Sequence, residues 1–134
     1  MAIHAAATSE RLAGAIAICP AGSDHLARGL RAGDLEMRID PDGRRSLEAW
    51  LAEHDLRQAV GLMGPKPLLL IHARGDDQIP SEWSEELYGR SREPRKLILM
   101  PGGHHRSAQH DAELHGVALR WMERQLAEGA VERF

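Results

Sequence analysis

Three short apolar runs punctuate the chain, Ala15-Ile-Ala-Ile-Cys19, Leu68-Leu-Leu-Ile-His72 and Lys96-Leu-Ile-Leu-Met100. None alternates with polar residues, so each reads as a strand buried on both faces, the habit of a parallel sheet covered by helices. Each run halts at Gly or Pro, in Pro20-Ala-Gly22, Gly75 and Pro101-Gly-Gly103. Loops of an open α/β sheet gather ligands and reactive groups at those strand ends. Between the strands the period changes. Leu114, Val117, Ala118, Trp121 and Met122 form one apolar stripe, with Asp111 placed to cap a helix and Gly129 to stop it. A second helix is predicted from Ser81 to about Arg90, capped by Ser81, with Glu82, Glu85 and Glu86 near its positive end and Trp83, Leu87 and Tyr88 inward. Ser46 to Met63 is helical in character, as one helix or two. Ala21 to Arg45 is the least regular stretch, and Asp40-Pro-Asp-Gly43 reads as a turn. Met1 to Thr8 reads as a helix already under way. The order is that of a βαβαβα unit with right-handed crossovers and about three parallel strands flanked by helices, an α/β fold class.

Composition narrows the function. The 134 residues carry 17 Lys+Arg against 20 Asp+Glu, a net charge of −3, which argues against a nucleic-acid partner held by phosphate neutralisation. Hydrophobic and charged fractions of 43% and 28% are those of an ordinary globular domain, so residues 1–134 are expected to form a single unit. Cys19 is the only cysteine, which excludes an intrachain disulfide and suits a reducing compartment. The longest apolar run, Ala13 to Ala21, is too short to span a bilayer, and no signal-peptide pattern opens the chain. The expectation is a cytoplasmic protein with no membrane contact.

Two segments carry the chemistry. In His72-Ala-Arg-Gly-Asp-Asp-Gln-Ile-Pro80 a buried strand runs into a turn bearing two acids; in Met100-Pro-Gly-Gly-His-His-Arg106 a strand ends in a Gly-Gly turn that presents histidine. Adjacent parallel strands would bring Asp76 and His104 together at one sheet edge. Asp77 is expected to be a solvated neighbour, because moving the acid by one residue spoils the Asp-x-x-Ile-Pro spacing. His105 reads as a packed or surface histidine with a pocket-lining role as the alternative. Arg74 and Arg106 read as solvated, and Trp50, Trp83 and Trp121 as packing residues. Ser23 lacks the glycine frame of a nucleophile. A metal is the rival chemistry for His104, His105, His110, Asp111 and His115, but no His-x-x-x-His or His-Glu-x-x-His pattern occurs, and neither metal nor other cofactor is expected.

These two loops resemble those of α/β-hydrolases, in the group of dienelactone-hydrolase-like esterases and prolyl-oligopeptidase-like peptidases, and the resemblance runs through most of the chain. That family's acid loop reads His-Gly-x-x-Asp-x-x-Val-Pro, matched by His72 to Pro80 with Ala73 in place of the first Gly; its histidine loop is matched by Pro101-Gly-Gly-His104. The resemblance implies Asp76 and His104 as the acid and base of a Ser-Asp-His triad. The Gly-x-Ser-x-Gly elbow is absent: none of Ser9, Ser23, Ser46, Ser81, Ser84, Ser91 and Ser107 lies in that frame. The implied whole is a serine hydrolase cleaving an ester or related acyl bond of a small molecule. This chain is then its C-terminal half, a partial α/β-hydrolase fold with an irregular or helical excursion over residues 21–63. The nucleophile and both oxyanion donors would lie upstream of Met1, leaving the chain inactive alone. The Ala13–Cys19 strand would lack one neighbour, an edge open to self-association or a complementing chain. The alternative is a non-catalytic α/β module that binds a partner through that edge.

Overall fold

The computed structural model describes residues 1–33 and 38–131. Three strands, β1 (Ala15–Ile18), β2 (Leu68–Ala73) and β3 (Arg95–Met100), form one sheet in the order β1-β2-β3. Both pairings are parallel, with Ala15 beside Leu68 and Ala73 beside Met100. All three strands therefore end at the same edge.

The central strand explains the layering. Every residue of β2 is buried, and its side chains alternate between two cores as the two-residue period of a strand requires. Leu68 and Leu70 join Ala15, Ala17, Ile3 and Ala6 of α1 (Ala2–Thr8), Val60 and Met63 at the end of α4 (Leu56–Leu62), and Trp83 and Leu87 of α5 (Ser81–Arg90). Leu69, Ile71 and Ala73 join Cys19, Ala108 of α6 (His105–His110), and Ala118 and Trp121 of α7 (Ala112–Val131). A fully buried Leu or Ile contributes about 1.5–3 kcal/mol, so β2, with four of them, is the strand that the two layers share.

The strands and the last helix conform to the apolar pattern, with Asp111 Oδ1 accepting from the Leu114 N–H at 3.0 Å to cap α7. The helix continues through Gly129, the expected stop, to Val131. Ser81 opens α5 without a side-chain capping bond. Two further expectations need correction, and one left open is decided. The stretch read as least regular holds α2 (Ser23–Ala32), although its residues 34–37 lie outside the described residues. The Asp40-Pro-Asp-Gly turn is the start of α3 (Pro41–Glu53): Asp40 accepts from the Gly43 N–H at 2.6 Å and Pro41 supplies a first helical residue that needs no donor. The same Asp-Pro chemistry serves a turn or a helix start, and the helix-forming residues from Arg44 to Glu53 decide for the helix. Ser46 to Met63 holds two helices, separated where Asp55 accepts from the Arg57 N–H at 2.9 Å and begins α4.

One clamp ties the first helix to the sheet. The Lys66 ammonium donates to the carbonyls of Ala6 at 2.6 Å and Ser9 at 2.7 Å, at the end of α1 where unpaired carbonyls accumulate. Among the described residues no helix is long and apolar enough to cross a membrane.

Candidate active site

The loops after β2 and β3 are built against each other. Gly102 and Gly103 have φ of +68° and +70°, a left-handed pair that non-glycine residues adopt at a cost. They turn the chain back so that the Gly75 N–H donates to the Gly102 carbonyl at 3.1 Å. A Cβ on Gly75 would lie 2.1 Å from the Gly103 oxygen, so only glycine fits there.

Asp76 is the centre of this contact. Its side chain is fully buried although its backbone reaches the surface. Oδ1 accepts from the N–H groups of Gln78 and Ile79, both at 2.9 Å. Oδ2 lies 2.8 Å from His105 Nδ1 and 3.2 Å from His72 Nε2. Burial by itself would raise the carboxyl pKa; the Ile79 N–H, the His105 imidazole and the Gln78 N–H outweigh it and hold the pKa below the usual carboxylate range. Asp76 is accordingly ionised at neutral pH.

The imidazole that meets Asp76 thus belongs to His105, where the sequence pattern predicts His104. After the two left-handed glycines, His104 is extended (φ −138°, ψ 179°), exposed, and forms the N-cap of α6, its N–H donating to Ser107 Oγ at 3.1 Å. His105 is the first residue of that helix and shares its inward face with Ala108, which is wholly buried. The signal missed in the sequence is α6 itself: the residue one helical turn before the small apolar Ala108 is the one that faces the sheet.

Two hydrogen bonds fix the tautomer of His105. A carboxylate only accepts, so Nδ1 carries the hydrogen; Nε2 is left as an acceptor and receives the Gln109 amide at 3.1 Å. His72 is fixed in the same way. Its Nε2 is 2.9 Å from the Ile79 carbonyl, which only accepts, so that nitrogen donates, and Nδ1 pairs with Ser84 Oγ at 2.7 Å. Both His72 and Ser84 are fully buried. His72 therefore holds the backbone of the acid loop and braces the carboxylate from behind.

A third side chain arrives from β1. Cys19, 4% exposed, has φ of +44°, a left-handed backbone for a residue with a Cβ, and closes the strand in a sharp turn. Its thiol lies with Asp76 and His105, the three ligand atoms all within 4.8 Å of one another. Burial first, then the Asp76 hydrogen bond and charge, push the thiol up to about 11, against an opposing contribution from the Ala73 backbone. It is a protonated thiol that donates to the His105 carbonyl at 3.8 Å beside the acid, which is no posture for a nucleophile.

The remaining candidates lie elsewhere. Asp77 is exposed, Arg74 pairs with Glu85 at 3.3 Å on the surface, and Arg106 is exposed. Ser23 donates to the His54 carbonyl at the start of α2. Of the histidine-rich stretch, Asp111 caps α7 and His110 is exposed.

No family model matches the chain. YfhR, an uncharacterized protein of Escherichia coli (strain K12), is 44% identical over 61 residues, which are 46% of this chain and 21% of YfhR. The YfhR of Salmonella typhi is 39% identical over 46 residues. The chain thus matches about one fifth of the length of its curated relative. Solved structures cover it far more fully. The α/β hydrolase GrgF from a Penicillium species superposes with a TM-score of 0.68 at 20% identity, over 94% of this chain and 60% of that one. The esterase domain of a Rhodothermus marinus protein gives 0.67 at 18% identity, over 93% and 55%. Est1E from Butyrivibrio proteoclasticus, in its structure with ferulic acid, gives 0.65 at 25%, also over 93% and 55%. A three-stranded parallel sheet flanked by helices, superposing on just over half of each of these enzymes, is a partial α/β-hydrolase fold.

Proposed function

We propose that the chain is the C-terminal part of a serine hydrolase acting on an ester or related acyl bond, and that it supplies Asp76 and His105 to a triad whose serine lies in sequence upstream of Met1. The observation that carries this reading is the 2.8 Å bond from His105 Nδ1 to a buried, ionised Asp76 at the edge where three parallel strands end. With Nδ1 committed to the acid, Nε2 is the nitrogen free to take a proton from a hydroxyl and return it to the leaving group. Asp76 holds that tautomer and stabilises the imidazolium that forms. In the complete enzyme the hydroxyl takes the place at Nε2 that the Gln109 amide holds here. The likeness to esterases of the same fold supports ester chemistry and leaves the acyl group open.

The test is to translate the coding DNA upstream of Met1 in frame, express the complete protein and assay p-nitrophenyl ester hydrolysis. A Gly-x-Ser-x-Gly frame is expected within a few codons. His105→Gln should lower kcat by about 10³–10⁴-fold, while His104→Gln leaves it within about twofold. An in-frame stop upstream, or a fully active His105→Gln enzyme, overturns the proposal.

A second reading, a binding module using its strand edge, is favoured by one observation: among the described residues β1 pairs on one side only. A charge at Ile16 would abolish such binding and His105→Gln would not.

A further inference from the structure

Cys19, Asp76 and His105 come from the ends of β1 and β2 and the start of α6, and their ligand atoms converge within 4.8 Å. We infer that these three side chains form a binding site for a single thiophilic divalent cation of the zinc class. Thiolate, carboxylate and imidazole are the donors such an ion takes, and three protein ligands leave a fourth position for water.

The distances suit this. Ligand atoms around tetrahedral zinc stand about 3–4 Å apart, given bonds of about 2.0–2.3 Å. Asp76 Oδ2 and His105 Nδ1 need to open slightly from 2.8 Å, and the sulfur, within 4.8 Å of both, needs to close by less than about 2 Å. The side chain of His105 is 18% exposed, which gives an entry path, while Cys19 and the Asp76 side chain are shut away from competing water.

The outer contacts are also in place. Asp76 Oδ1 is held by two backbone N–H groups, and His72 Nε2 stands 3.2 Å behind Oδ2 as the kind of partner that orients a ligating carboxylate. Without a cation, a thiolate here would face a buried carboxylate, so the sulfur keeps its proton. A dication cancels that repulsion. On binding, the Cys19 S–H bond breaks and a metal–sulfur bond forms, releasing one proton to solvent; the His105 proton moves from Nδ1 to Nε2, and Gln109 turns its carbonyl oxygen to accept it. No electron is transferred.

Occupancy and the Asp76–His105 hydrogen bond exclude each other, because both require Nδ1. The metal would therefore switch off the acid–base pair, a consequence that rests on the proposed hydrolase reading, whereas the binding itself does not.

The experiment is a Co²⁺ titration of the purified 134-residue chain, tracked by absorption. A near-ultraviolet thiolate-to-cobalt band and intense visible bands of a tetrahedral site are expected at one equivalent. Zn²⁺ should abolish both, and one proton per metal should appear in weakly buffered solution. Cys19→Ser and His105→Gln should each lose the thiolate band, while His104→Gln, His110→Gln and His115→Gln keep it. A wild-type chain that shows no thiolate band at saturating Co²⁺ overturns the inference without any variant having to fold. So does a band that survives His105→Gln, or one that vanishes with His110 or His115. The band present beside an ester hydrolysis indifferent to His105→Gln would sink the hydrolase reading alone; the reverse result would sink the metal site alone.

Discussion

The acid loop and the histidine loop sit side by side at one sheet edge and are held in opposite ways. After β2 the backbone is tied down at every step: two N–H groups clasp Asp76, and buried His72 grips the Ile79 carbonyl and Ser84. After β3 the chain passes through two left-handed glycines and reaches two consecutive histidines, of which one faces solvent and the other the acid. The first loop has one way to satisfy its polar groups. The second has two candidate side chains of identical chemistry, and only the phase of a six-residue helix chooses between them. A loop closed by its own hydrogen bonds shows in the sequence which side chain it buries; a loop set by packing against other elements does not.

The largest expected effect comes from forcing the two loops apart. Gly75→Ala places a methyl 2.1 Å from the Gly103 oxygen and should cost about 3 kcal/mol or more in urea unfolding, with the His105–Asp76 bond lost. A chain that tolerates this alanine within about 0.5 kcal/mol would show that the loops are not in contact.

Next comes the brace. His72→Ala leaves Ser84 and the Ile79 carbonyl buried without their partner and opens a cavity, for an expected loss of about 2–4 kcal/mol. His105→Ala, at a partly exposed site, should cost about 1–2 kcal/mol. Equal losses would remove the contrast between the two loops.

The acid sharpens the comparison through pH. Because the folded pKa of Asp76 lies below its unfolded value of about 3.9, its contribution is complete above that pH and disappears as pH falls through the folded value. Urea midpoints measured from pH 7 down to pH 3 should fall more steeply in wild type than in Asp76→Asn. Parallel curves would mean that the carboxylate is not held by its N–H donors and His105. The smallest effect belongs to His104→Gln, expected within about 0.5 kcal/mol of wild type in the same unfolding assay, since its imidazole is exposed.

The sequence is legible along the same division. Its strands surface because Leu68 to Ile71 and Leu97 to Leu99 are apolar without interruption, and Asp76 because the spacing to Ile79-Pro80 encodes its own turn. The Asp40-Pro start of α3 reads as a turn because its local chemistry is shared by turns and helix caps. Cys19 carries no signal of a site residue, for a left-handed φ at a cysteine leaves no mark in composition or period. His72 is visible as a letter of the motif, but its task depends on Ser84, a residue one helix away.

The absent Cβ at Gly75 has a consequence for how this edge can change over generations. Every amino acid within one nucleotide of a glycine codon carries a Cβ, so no single-base missense change at this position avoids the Gly103 oxygen. The two loops can drift in sequence around that point, but any missense change at residue 75 itself pushes them apart. In a lineage in which the Asp76–His105 contact is no longer kept, the codon for residue 75 should be among the first to record it.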